Sequence, residues 1–378
     1  MRRFCCLMLV VALLALPVSA AAPEVPAKSA CLMDIETGTV LAEQNADTPL
    51  APASVTKVMT MLLVMEALSD GRLTLSDMVT TSEAAAAKGG SQIYLKVGES
   101  MSVEEMLKSV AVSSANDCAC ALAEHLAGSE AAFVDQMNKR AGELGMQNTH
   151  FVNCTGLDDG EEAKNHRTTA RDIAIMSREL MKNHPDIQKY TTIWMDSVRG
   201  GAFGLSNTNK LVRFYPGATG LKTGFTSGAG YCLSATAQKE GMGLVAVVMG
   251  SETSKDRFTA CKSLLDYGFA GYALLNPDPE GPLTVPVKLG TKETVTAVAG
   301  EQARLLVEKG QIASVNIKTE LDAEVTAPVS KGQRLGTLTV TCGEQILKEL
   351  PLVAEDAVPR LTFWQIFGQL LKQFLGGK

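Results

Sequence analysis

Apolar and polar residues alternate over Ala30-Cys31-Leu32-Met33-Asp34 and Thr39-Val40-Leu41, with Glu36-Thr37-Gly38 between them, which predicts two strands and a tight turn across 28–45. From Ser54 the period changes. Val58, Met59, Met61, Leu62, Leu63 and Met65 put apolar groups on nearly every side of a helix from 54 to about 68, the pattern of a helix buried in the middle of a domain. Ser102-Val103-Glu104-Glu105 has the form of a capping box ahead of a helix over 106–112, and Ser129 precedes another over 131–144. Thr168-Thr169-Ala170-Arg171-Asp172 opens a further helix that stops before Asn183-His184-Pro185. The stretches 230–237 and 243–250 read as paired strands and 255–268 as a helix. Strands at both ends with helices between them predict an α/β or α+β layered domain.

The pattern shifts at Asn276-Pro277-Asp278-Pro279-Glu280-Gly281-Pro282, a proline-rich linker. Beyond it, 284–289, 293–298, 303–307, 313–319, 324–327 and 334–340 alternate as short strands with glycine turns, which predicts a small all-β domain over 283–355. After Pro359, Phe363, Trp364, Phe367, Leu370, Leu371, Phe374 and Leu375 recur at three- and four-residue spacing opposite Gln365, Gln369, Lys372 and Gln373. The segment 359–378 is thus expected to form an amphipathic helix, too short and too polar on one face to span a bilayer and suited to lie in a membrane interface. At the other end Arg2 and Arg3, the apolar stretch 5–16 and Val18-Ser19-Ala20 have the form of a cleaved secretory signal over 1–20, leaving 21–276 as the main domain of an exported protein.

Composition adds exclusions. The chain of 378 residues is long enough for two domains, and a net charge of −6 without basic runs gives no footprint for nucleic acid. Seven cysteines follow the signal segment (Cys31, Cys118, Cys120, Cys154, Cys232, Cys261, Cys342), an odd number whose spacing defines neither a zinc site nor a disulfide framework; they read as small buried apolar residues. None of His125, His150, His166 and His184 has a partner placed for a histidine-based triad, and no ligand spacing calls for a catalytic metal or another cofactor.

Chemistry concentrates in three short elements in order: Ser54-Val55-Thr56-Lys57, Ser114-Ala115-Asn116 and Lys222-Thr223-Gly224. Ser54 and Lys57, three apart on a helix, share a face and can meet. Burial and a second cation such as Lys222 would lower the lysine pKa toward neutrality, making Lys57 a general base for nucleophilic attack by Ser54. Ser114 is suited to relay a proton to the leaving amine, and Asn116 to bind a substrate peptide group. Lys222 and Thr223, on a strand edge, would face a substrate carboxylate, Gly224 would let the substrate backbone approach, and the N–H groups of Ser54 and Phe225 would form an oxyanion hole.

These residues resemble the serine D-alanyl-D-alanine carboxypeptidases, the low-molecular-mass penicillin-binding proteins. The resemblance runs through Asp34-Ile35-Glu36-Thr37-Gly38, Pro52-Ala53-Ser54-Val55-Thr56-Lys57, Ser91-Gln92-Ile93-Tyr94-Leu95, Ser114-Ala115-Asn116-Asp117, His166-Arg167-Thr168-Thr169-Ala170-Arg171-Asp172, and Thr208-Asn209-Lys210-Leu211 on to Gly220-Leu221-Lys222-Thr223-Gly224. It implies a penicillin-recognising, β-lactamase-like transpeptidase domain with an antiparallel sheet and a helical cluster, followed by the β domain and a membrane-anchoring helix. It also implies removal of the terminal D-alanine from peptidoglycan stem peptides through an acyl-serine, covalent inhibition by β-lactams, and a place on the outer face of the cytoplasmic membrane, facing the wall. By the same resemblance Arg257 lies near the substrate carboxylate. Ala115, where many members have glycine, and Phe225 bear on substrate preference. Two readings compete. A β-lactamase would use a deacylating glutamate with an asparagine four residues on, a spacing that Glu161 and Asn165 share, although Lys164 stands where that motif has leucine. A catalytically silent wall-binding protein would fail to label with penicillin.

Overall fold

The computed structural model describes residues 21–279, 281–301 and 303–374; the signal-like segment 1–20 and Leu375 lie outside the described residues, as do the side chains of Lys372 and Gln373. The chain divides into two compact units, Ala22–Leu274 and Leu275–Lys378.

In the first unit β1 (Ser29–Asp34) and β2 (Val40–Gln44) form the expected hairpin, and β3 (Ala218–Thr226), β4 (Gly230–Lys239) and β5 (Met242–Ser251) complete an antiparallel five-stranded sheet in the order β2-β1-β5-β4-β3. β3, which carries Lys222-Thr223-Gly224, is therefore an edge strand, free to face a cleft. Beside the sheet lies the helical cluster: α1 (Lys57–Ser69), α2 (Val103–Ser113), α3 (Asn116–Ala127), α4 (Glu130–Glu143) and α5 (Ala170–Asn183), with α6 (Ser254–Gly271) after β5. The side chains of Ser102, Ser129, Thr169 and Thr253 accept a backbone N–H from the first turns of α2, α4, α5 and α6, so each helix starts where its cap satisfies an orphan donor.

Val58, Met59, Met61, Leu62 and Val64 on α1 are fully buried. At roughly 1.5–3 kcal/mol for each large apolar side chain removed from water, α1 is among the most firmly held elements of the unit. One expectation changes at its start. Residues Ala53–Thr56 form a 3-10 turn rather than the first turn of the α-helix, so Ser54 precedes α1 and Lys57 begins it.

The second unit is built on a six-stranded sheet of β6 (Leu283–Lys288), β7 (Thr294–Ala299), β8 (Val315–Leu321), β9 (Val325–Thr326), β10 (Arg334–Cys342) and β11 (Gln345–Ala354), in the order β8-β10-β11-β7-β6-β9. Its core gathers Val285, Val295, Leu335, Leu338, Val340, Leu350, Leu352 and Val358. β11 is absent from the sequence reading because Pro351 interrupts an otherwise alternating run; here its ring replaces an N–H while its carbonyl still accepts from Gly300 N at 2.8 Å. α7 (Phe363–Phe374) exposes Phe363, Trp364, Phe367, Leu370 and Phe374. Among the described residues no helix is long and apolar enough to cross a membrane.

Candidate active site

The 3-10 turn before α1 is held from three sides. Ala53, buried, has a left-handed φ of 49°, a conformation that costs a non-glycine residue of order 1–2 kcal/mol. Its carbonyl accepts the Thr56 hydroxyl at 2.8 Å, and Thr56 Oγ1 in turn lies 2.8 Å from His166 Nε2. Burial, with smaller effects of His150 and Lys57, lowers the His166 pKa to about 4, so the ring is neutral; Nδ1 accepts from Val152 N at 3.2 Å, which leaves Nε2–H to donate to Thr56. Gly156 closes the third side, where a Cβ would stand 1.8 Å from Ala53 O. His166 is thus a packing residue, and neither its role nor that of Gly156 has a signal in residue spacing.

This turn presents Ser54, half-buried, to Lys57, which is completely buried. Lys57 Nζ lies 3.0 Å from Ser54 Oγ and donates to Thr155 O at 2.7 Å. Burial lowers its pKa from 10.5 to about 7, with Cys154 and Asp117 pulling the other way. Burial is the largest cause at Lys57, and repulsion between the two amines, mutual by nature, bears on Lys222. That amine is held well below its ordinary value by burial first, then by Lys57 and Arg257.

Ser114 and Asn116 occupy the sharp turn between α2 and α3. Ser114, at the end of α2, has a left-handed φ of 64°, and its buried Oγ has no hydrogen-bond partner in the fold. Asn116 donates its amide to Gly89 O at 2.7 Å and its backbone N–H to Ser91 O at 2.7 Å, while Oδ1 is buried without a partner. The neighbouring Asp117 carboxylate accepts from the N–H groups of Ile93, Leu95 and Cys118, which fixes the loop carrying Ser91. Buried polar atoms without partners are costly, so both oxygens are free to accept or make a hydrogen bond to a ligand.

On β3, Lys222 Nζ donates to Thr223 O at 2.9 Å and Thr223 Oγ1 to Thr208 Oγ1 at 2.7 Å. A Cβ on Gly224 would meet Pro52 O at 2.7 Å and Ser54 N at 3.0 Å, so only glycine lets the edge strand lie against the nucleophile's turn. That contact brings the backbone of Ser54 next to the strand segment leading into Phe225. The Phe225 ring, 51% exposed, stacks on Tyr231 with centroids 4.3 Å apart.

Arg257, in the first turn of α6, donates from Nη1 to Gly224 O at 2.9 Å and to Cys232 O at 3.4 Å. Its guanidinium carbon lies 5.2 Å from the Tyr231 ring centroid and 4.9 Å from that of Phe258, and its Nε is buried without a partner. Burial holds its pKa below the ordinary value.

Ser54, Lys57, Lys222, Gly224 and Arg257 are therefore joined directly or through one neighbour, and Asp117 ties the Ser114-Ala115-Asn116 turn to Lys57 electrostatically. Glu161 and Asn165 are both exposed, and Glu161 pairs with Lys164 at 2.5 Å. Among the described residues no group of three His, Cys, Asp or Glu side chains is arranged to hold a metal ion. None of the six buried cysteines, nor half-exposed Cys342, is in a disulfide.

A model of the D-alanyl-D-alanine carboxypeptidase family matches residues 17–253, and one of the penicillin-binding protein 5 C-terminal domain matches 279–360. The chain is 43% identical over 343 residues to the D-alanyl-D-alanine carboxypeptidase DacF of Bacillus subtilis, covering 89% of this chain and 87% of that one. It is 36% identical over 356 residues to DacC of Escherichia coli, covering 91% and 87%. Penicillin-binding protein 5 from Haemophilus influenzae superposes with a TM-score of 0.74 at 32% identity, covering 90% of this chain and all of that one (100%). Penicillin-binding protein D2 from Listeria monocytogenes in its ampicillin-bound form gives 0.59 at 33% identity over 65% of this chain and 98% of the other.

Proposed function

Since this chain belongs to the D-alanyl-D-alanine carboxypeptidase family, we propose that it removes the terminal D-alanine from peptidoglycan stem peptides through an acyl-Ser54 intermediate. The observation that carries the reading is the pair formed by Ser54 and a fully buried Lys57 whose amine titrates at about 7. Neutral Lys57 takes the Ser54 Oγ proton as Oγ attacks the carbonyl carbon of the penultimate residue. The N–H groups of Ser54 and Phe225 receive the developing oxyanion, a contribution of about 3–4 kcal/mol per donor. The proton passes by way of Ser114 Oγ to the leaving D-alanine nitrogen. Water then attacks the ester, Lys57 again taking the proton, and Ser54 is restored.

The unpartnered oxygen of Asn116 supports its binding the N–H of the peptide on the acyl side. Lys222, Thr223 and Arg257 would take the terminal carboxylate, which returns to the buried Lys222 amine the counter-charge that makes its protonated form favourable. β-Lactams present the same carboxylate and a strained amide, so they acylate Ser54. The exposure of Glu161 and its pairing with Lys164 favour slow release of that adduct over β-lactamase turnover.

Export and membrane attachment belong to the same proposal. The basic-apolar-small pattern of 1–20 supports secretion, and the aromatic residues exposed along α7 support its lying in the interface at the outer face of the cytoplasmic membrane, the face toward the wall. The test is incubation with a pentapeptide ending in D-Ala-D-Ala followed by mass analysis. Loss of one alanine with wild type and none with Ser54→Ala is expected; an intact pentapeptide with wild type overturns the reading.

A further inference from the structure

One partly buried carboxylate outside the reacting groups touches both walls of the cleft. Glu130, in the first turn of α4, receives the Lys88 ammonium on Oε2 at 2.6 Å; its Oε1 accepts Cys154 N at 3.2 Å and Cys154 Sγ at 3.2 Å, and Cys120 Sγ lies 3.8 Å from Oε2. Burial opposes charge on Lys88 and Glu130 alike, yet the pairing prevails: Lys88 is raised and Glu130 lowered from their ordinary values. The two backbone segments tied in this way have the same relation to the chemistry. Lys88 precedes Gly89, whose carbonyl accepts the Asn116 amide at 2.7 Å. Cys154 precedes Thr155, whose carbonyl accepts Lys57 Nζ at 2.7 Å. Cys120 lies on α3, the helix that Asn116 begins.

We propose that Glu130 is a positioning residue: through Lys88 and Cys154 its one carboxylate fixes the carbonyls of Gly89 and Thr155, and so sets Asn116 and Lys57 relative to each other across the cleft. Each arm acts on a different function. The Lys88 arm governs the carboxamide that binds the substrate, and the Cys154 arm governs the acceptor that holds the base. Two catalytic walls from separate parts of the chain need such a tie, because a misplacement of about 1 Å costs on the order of a hundredfold in rate. The proposal rests on the carboxypeptidase reading for the roles of Asn116 and Lys57.

Lys88→Met and Glu130→Gln separate the arms. With the D-Ala-D-Ala pentapeptide, and rates expressed per active site titrated with fluorescent penicillin, Lys88→Met is expected to raise KM about tenfold with kcat within about twofold. Glu130→Gln is expected to raise KM similarly and to lower kcat by about tenfold or more, and the double variant to be no worse than Glu130→Gln, since both act through one carboxylate. A residue that only stabilised the fold would lower the melting temperature and the active fraction but leave KM and kcat per active site unchanged; that result in either variant overturns the proposal. If Glu130→Gln does not fold, Lys88→Met decides alone by its KM. Active wild type with unchanged variants sinks this proposal while the carboxypeptidase reading stands; inactive wild type sinks both.

Discussion

Replacing Lys57 by methionine tests what the buried amine costs the fold. In the unfolded chain the amine keeps its ordinary pKa of 10.5; in the native state burial brings it to about 7. Between these values the unfolded state binds a proton that the native state does not, so native stability must rise with pH across that window and be flat below it. At ~1.4 kcal/mol per pH unit, the whole window is worth ~5 kcal/mol, and the interval from pH 7.5 to 9.0 about 2 kcal/mol. Lys57→Met lacks this slope. Lys222, depressed by its own burial first and by Lys57 only after that, contributes most of its slope to both proteins. At pH 7.5 the variant escapes about 4 kcal/mol of penalty and loses two hydrogen bonds, to Ser54 and Thr155, worth about 1 kcal/mol each, so it should be about 2 kcal/mol more stable than wild type while losing acylation. The assay is urea unfolding of both proteins at the two pH values. The variant's advantage should shrink by about 2 kcal/mol from pH 7.5 to 9.0. A difference that does not change with pH would mean that Lys57 is protonated in the native state, and the proton acceptor for Ser54 would be lost.

Three further outcomes follow from individual contacts. Gly224→Ala should fold, by circular dichroism, yet acylate with fluorescent penicillin about 10²–10³-fold more slowly, because the added Cβ drives the strand from the Ser54 turn and disrupts the oxyanion donors; a rate within threefold would refute that geometry. Arg257→Gln should raise KM for the pentapeptide by about 10–100-fold, the worth of a charged hydrogen bond, with a smaller loss for a peptide amidated at its C-terminus; equal loss on both would show that Arg257 does not meet the carboxylate. With vesicles of phosphatidylglycerol and phosphatidylethanolamine, the protein should sediment, and Phe367→Asp/Leu370→Asp should remain in the supernatant; sedimentation of both would remove α7 as the attachment.

The three motifs were legible because each pairs residue types with a spacing that chemistry requires, and the strands and caps around them follow local rules that short windows carry. Ser54 and Lys57 meet even though Ser54 lies in a 3-10 turn and not in the helix, since three residues make a full 3-10 turn as well as most of an α turn. What no window shows is how that turn is supported. Gly156 is needed because Ala53 O, distant in sequence, occupies the place of its Cβ and because its φ is +80°; His166 matters because it is folded onto Thr56 and Val152. Burial of Lys57 was expected from the apolar run that follows it, but which groups close around the amine, Thr155 O and Cys154 among them, was beyond sequence. Glu130 looks like any first-turn acid until Lys88 and Cys154 are brought to it.

The proposed chemistry turns on activation of Ser54 by a neutral Lys57. The most direct test is the rate of penicillin acylation from pH 5.5 to 9, with the adduct located by peptide mapping. An adduct on Ser54 is expected, with a rate that rises with pH through an apparent pKa of about 7, the value at which Lys57 gives up its proton. A flat profile, or an adduct on another residue, would contradict it.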